Sequence, residues 1–115
     1  MVIKDSCGVF GGYGYHDIAD LIRIGLFGLQ HRGQESAGIV TFDGKDFHER
    51  LRQGLVSPNF GPDKISQLEG YMGIGHVRYS TAGGSSVKNT QPLATEIKGQ
   101  KIYLAHNGTL DNYEE

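Results

Sequence analysis

The chain has 115 residues, the length of one modest domain. Hydrophobic residues make up 37% and charged residues 21%, a balance that excludes a disordered or coiled-coil chain. A formal net charge of -2 gives no electrostatic reason to expect nucleic acid or an anionic membrane as partner, and no apolar run approaches the ~20 residues of a membrane span.

The opening Met-Val-Ile-Lys-Asp-Ser lacks the apolar core of a signal peptide. A single cysteine, Cys7, cannot form an internal disulfide, so a reducing, cytoplasmic setting is expected. Residues 7–14, CGVFGGYG, read as a first strand broken by glycine. Asp17 is the expected N-cap of a helix, because Ile18, Leu21, Ile22, Gly25, Leu26 and Leu29 follow the i, i+3, i+4, i+7 stripe. Gly25 and Gly28 are poor helix formers three residues apart, so a close neighbour is expected on the face they share.

Residues 35–43, ESAGIVTFD, read as a strand, Asp43-Gly44 as a turn, and residues 45–52 as the return strand of a hairpin. Pro58 and Pro62 are expected to bracket a loop, followed by a short helix over 63–68. Residues 70–79, GYMGIGHVRY, read as a buried strand with small residues. Residues 80–91 are polar and glycine-rich, a long loop of the kind that carries function. A last strand is expected over 101–106, and LDNYEE at the end reads as the first turn of a further helix. The order of elements describes an α+β chain, expected to be the N-terminal part of a larger domain.

Three segments have residue types suited to chemistry. Cys7 sits among glycines; freed of residues 1–6 it would carry an α-amino group of pKa about 7.7–8.0, well placed to serve as base for its own thiol. Most lone cysteines are small buried residues, and that alternative stands beside it. On an extended strand, His76, Arg78 and Ser80 share one side and Val77 and Tyr79 the other. Arg78 suits a bidentate carboxylate clamp, against the plainer alternative of a surface ion pair. Asn107-Gly108 reads as a hairpin turn, as part of a glycosylation sequon (discounted without a secretory signal), or as an oxyanion hole built from the Asn carboxamide and the next N–H. The five histidines show no metal-ligand spacing, so no zinc site is expected. Gly12-Tyr-Gly14 lacks the third glycine of a dinucleotide loop.

Taken in order, CGVFG, LQHRGQESAGI, GHVRYSTAG and LAHNGTL resemble the class II glutamine amidotransferases, the N-terminal-nucleophile glutaminases, from Cys7 to about Leu110. HRGQESAGI is the most specific piece and most resembles the amidophosphoribosyltransferase branch; the glucosamine-phosphate synthases usually carry YRGYDSAGI there. The resemblance implies the N-terminal part of a four-layer αββα N-terminal-nucleophile hydrolase fold, read as truncated. Residues 1–6 are then a leader, residues 7–115 part of the glutaminase domain, and the phosphoribosyltransferase domain lies outside this chain. It implies Cys7 as nucleophile, Asn107 and Gly108 as oxyanion donors, and Arg78 on the glutamine α-carboxylate with Thr81 alongside. Arg32 and Tyr79 are implied to brace nucleophile and substrate. The family's acidic residue for the substrate amine falls beyond Glu115. Glutamine is the implied substrate here, with phosphoribosylpyrophosphate and Mg2+ at a site outside the chain and a homo-oligomer when full length. An iron–sulfur cluster, held by some members, is not inferable from this region. The alternatives are the glutaminase portion of a glucosamine-phosphate or glutamate synthase, and a non-catalytic glutamine-binding module.

Overall fold

A computed structural model describes residues 7–29, 34–79 and 90–106. Four antiparallel strands form the main sheet in the order β1-β4-β2-β3, with β1 at Gly8–Tyr13, β2 at Gln34–Phe42, β3 at Phe47–Gln53 and β4 at Met72–Tyr79. Helix α1, Ile18–Leu29, crosses one face, and the short turns α2, Val56–Asn59, and α3, Pro62–Ile65, flank it. A second hairpin, β5 at Leu93–Ile97 and β6 at Gln100–Leu104, lies against the opposite face.

The faces follow from the period-two alternation of strand side chains. Register pairs Gly8 with Val77 and Phe10 with Gly75 on one side, and Ala37 with Val77 and Ile39 with Gly75 on the other. These residues look toward α1. Ile22 and Leu26 are fully buried there, each burial worth about 1.5–3 kcal/mol, and they press on β4 where Gly75 leaves no room for a side chain: a Cβ there would lie 2.5 Å from Ile22 Cγ2. The core joins Ile18, Ala19, Ile22 and Leu26 of α1 to Val56, Phe60, Ile65 and Leu68. Thr41 ties the far end of β2 down by donating to the Glu69 carbonyl at 2.7 Å.

Most elements lie where the pattern places them, with three corrections. Asp17 precedes α1 as expected, and its carbonyl accepts the Asp20 N–H as that of an N-cap residue does, while its carboxylate lies 3.1 Å from His16 Nε2. Gly25 receives the Phe10 ring, whereas no described residue lies within 4 Å of a Cβ at Gly28; a shared helix face does not mean a shared neighbour. Pro58 sits inside α2 and Pro62 opens α3, because proline is tolerated in the first turn of a helix. Strand β5 was not expected. It pairs with β6 through Lys98-Gly99, both at positive φ (51° and 80°), the backbone of a tight two-residue hairpin. The expected turn at Asp43 is present, its carboxylate accepting the Lys45 and Asp46 N–H groups. The expected terminal helix and residues 80–89 of the long loop lie outside the described residues. Among the described residues no helix is long and apolar enough to cross a membrane.

Candidate active site

Residues of the main sheet that look away from α1 face the second hairpin, and the polar candidates gather at one end of that face. Cys7 immediately precedes β1. The ladder pairs Gly8 with Val77, so one step further brings Cys7 abreast of Arg78. Cys7 and Arg78 are both buried, 3% and 7% exposed, which removes the reading of Arg78 as a surface ion pair. Arg78 pairs across β2 with Ser36, and His76 with Gly38 and Val9.

The chain returns to this place after β6. His76 Nε2 lies 3.0 Å from the His106 carbonyl oxygen, and the His106 N–H donates to Gln91 Oε1 at 2.8 Å. Gln91 lies over β2 because position 38 is glycine: a Cβ there would collide with the Gln91 carbonyl oxygen. All four sequence segments therefore contribute residues here: Cys7, Ser36 with Gly38, His76 with Arg78, and His106.

Burial pulls the His76 imidazole down to about 4, with the nearby Arg78 charge acting the same way and the bond to His106 opposing it. His76 is thus neutral near pH 7. Its Nδ1, Ser36 Oγ and Glu35 Oε2 are buried with no hydrogen-bond partner among the described residues. Buried polar atoms ordinarily find partners, and none of the described residues supplies one for these three.

Tyr79 stands apart from this group. It belongs to the core on the α1 side, and its hydroxyl donates at 2.9 Å to the carbonyl of Leu29, the last residue of α1. It holds the end of the helix from which residues 30–33, with Arg32, lead away. Arg32, Thr81, Asn107 and Gly108 lie outside the described residues. His76 and Gln91 were missed as structural partners. The period-two pattern already put His76 on the Arg78 side; nothing local marked Gln91.

Two other features lie away from this site. A groove of about 750 Å³ runs between the sheet and β6, lined by Tyr13, Val40, Phe42, Phe47, Ile74 and Tyr103 among others, with Lys101 its one charged lining residue. So apolar a groove offers little for amide chemistry. Asp43, His48 and Glu69 bring one ligand atom each within 4.8 Å of one another. The Asp43–His48 hydrogen bond of 2.8 Å accounts for the closest of these approaches.

Comparison with known proteins agrees with this geometry. The family model of class II glutamine amidotransferases matches residues 64–115. The amidophosphoribosyltransferase of Methanothermobacter thermautotrophicus is 47% identical over 98% of this chain, and that of Methanocaldococcus jannaschii 50% over 95%. The chain belongs to the class II glutamine amidotransferases. It spans 24% of the length of each of these two relatives of the class. Among solved structures, the Bacillus subtilis glutamine phosphoribosylpyrophosphate amidotransferase complexed with ADP and GMP superposes with a TM-score of 0.73 and 39% identity, over 84% of this chain and 21% of that one. A structure described as the allosteric regulatory enzyme of purine biosynthesis matches with the same TM-score and 41% identity, over 83% of this chain and 21% of its own. The fold is therefore the N-terminal-nucleophile hydrolase fold of these class II amidotransferases.

Proposed function

We propose that this chain carries the glutaminase site of an amidophosphoribosyltransferase. The observation that supports it best is the meeting of Cys7, buried Arg78 and the His106 anchor at one end of one sheet face. Residues 1–6 are a leader whose removal makes Cys7 the first residue. Its α-amino group then takes the thiol proton, and the thiolate sulfur attacks the side-chain amide carbon of glutamine. Electrons shift onto the amide oxygen, which Asn107 and the Gly108 N–H stabilise. The tetrahedral centre collapses as the protonated α-amine gives its proton to the departing nitrogen. Ammonia leaves, and a glutamyl thioester remains on Cys7. Water, deprotonated by the same amine, hydrolyses the thioester to glutamate and restores the thiol.

Arg78 holds the glutamine α-carboxylate by two parallel hydrogen bonds, with Thr81 beside it. Arg32 braces the site from the segment that Tyr79 anchors through Leu29. The ammonia passes to a second site outside this chain, where it displaces pyrophosphate from phosphoribosylpyrophosphate to give phosphoribosylamine, the first step of purine synthesis. The relatives' names support that acceptor. A reducing compartment, the cytoplasm, suits a mechanism that depends on a free thiol.

The test is Cys7→Ala in the complete enzyme. Glutamine-dependent synthesis is expected to vanish while synthesis from added ammonia continues, because amide cleavage alone uses the thiol. Loss of both activities in a folded variant would overturn the two-site assignment.

A further inference from the structure

Beyond Leu104 the chain leaves the β5–β6 ladder, yet both backbone groups of His106 are bonded to side chains. Its N–H donates to Gln91 Oε1 at 2.8 Å, and its carbonyl oxygen lies 3.0 Å from His76 Nε2. A carbonyl only accepts, so His76 must carry its proton on Nε2. Both partners are themselves fixed. His76 is fully buried in the middle of the sheet, and Gln91 is 2% exposed, with its backbone pressed on Gly38, the residue paired with His76. A segment leaving a sheet usually bonds water. Here two buried side chains hold it instead.

His76 is also a poor choice for stability alone. Its Nδ1 is buried without a partner among the described residues, and a half-satisfied buried polar group is less stable than an apolar side chain of the same shape. What distinguishes imidazole from such a residue is the directed N–H.

We propose that His76 is a positioning residue: with Gln91 it clamps His106 by both backbone groups and so sets where Asn107 and Gly108 begin. This rests on the oxyanion role proposed for those two residues. Donors to an oxyanion act over a range of 2.7–3.1 Å, and an error of ~1 Å in placement reduces turnover about 10²-fold. A clamp one residue away holds the start of the segment to that tolerance. Because oxyanion bonds strengthen as the tetrahedral centre forms, a loosened clamp acts on kcat rather than on glutamine binding.

The test compares His76→Phe, which fills the space without a donor, with His76→Gln, which restores an N–H near the Nε2 position. Both are made in the complete enzyme. For His76→Phe, kcat with glutamine is expected to fall about 10- to 100-fold with KM within about twofold, and ammonia-dependent synthesis is expected to persist. His76→Gln should recover most of the loss. Gln91→Leu, which removes the other arm of the clamp, should reproduce the kcat defect and serves if His76→Phe does not fold. Unchanged kcat in a folded His76→Phe or Gln91→Leu, or a defect confined to KM, would overturn the clamp. A glutamine-like diazoketone separates the two readings. If it fails to modify Cys7 of the unaltered enzyme, the glutaminase reading itself fails. If it modifies Cys7 while the folded variants turn over normally, only the clamp fails.

Discussion

Replacing Gly38 by alanine adds one methyl group at the point where the site's two halves touch. The new Cβ would meet the Gln91 carbonyl oxygen, with Leu51 Cδ2 at 2.5 Å and the Gln91 carbonyl carbon at 2.9 Å. Two of these three neighbours are backbone atoms, which cannot rotate aside as the end of a side chain can. Overpacking of a tight site costs about 1–3 kcal/mol, and displacing Gln91 also weakens its bond to the His106 N–H, worth about 0.5–1.5 kcal/mol. Because the two losses share one displacement they do not simply add, and a loss of about 2–3 kcal/mol is expected, roughly 30- to 150-fold in the folding equilibrium. Gly28→Ala provides the control. That glycine lies in α1 with no described residue within 4 Å of an added Cβ, so alanine there should stabilise by about 0.4–1 kcal/mol. Denaturant unfolding midpoints of the two variants should move in opposite directions from the parent. A Gly38→Ala midpoint at or above that of the parent would refute the contact between Gln91 and β2, and with it the reason Gln91 reaches His106.

Arg78→Lys should raise the KM for glutamine about 10- to 100-fold with a smaller change in kcat, since lysine cannot form two parallel bonds to a carboxylate; steady-state kinetics that show an unchanged KM would make Arg78 structural. Stability should also depend on pH through His76. Its folded pKa, about 4, lies below the ordinary 6.5, so the unfolded chain binds the proton more readily. The contribution is fully present above about pH 6.5 and is lost as pH falls from there through 4, by up to about 3 kcal/mol. As pH falls across that window the unfolding midpoint of the parent should drop relative to that of His76→Gln, and parallel curves would exclude His76 as the source.

The elements that could be read from sequence are those whose pattern depends on local burial. α1 shows the helical stripe because Ile18, Ile22 and Leu26 all press on one sheet face, and β2 and β3 show a turn because Asp43 bonds its own neighbours. β5 was missed because its five residues are all exposed, leaving no alternation of buried and open positions. Its signal was instead the Lys98-Gly99 turn. For the candidate site, Cys7 and Arg78 stood out by residue type and company. The clamp did not, because it joins residues 38, 76, 91 and 106, and such partnerships depend on register across the sheet. Tyr79 shows the same limit. Its neighbour Arg78 faces the candidate site, but the alternation of a strand turns Tyr79 into the core.

Strand β1 precedes the other strands of the main sheet in sequence, yet its partner β4 comes after β2 and β3. Among the described residues it lies at the sheet edge and pairs with β4 alone, so Gly8 waits for Val77, across more than half of the 115 residues. Meanwhile β2 and β3 can zip together through their short turn as they emerge, since local pairings form before distant ones. Until β4 is delivered, Cys7 has no fixed surroundings and no approach to Arg78. The side of the sheet that holds Cys7 is therefore completed by a distant pairing, whereas its other side closes through a short turn.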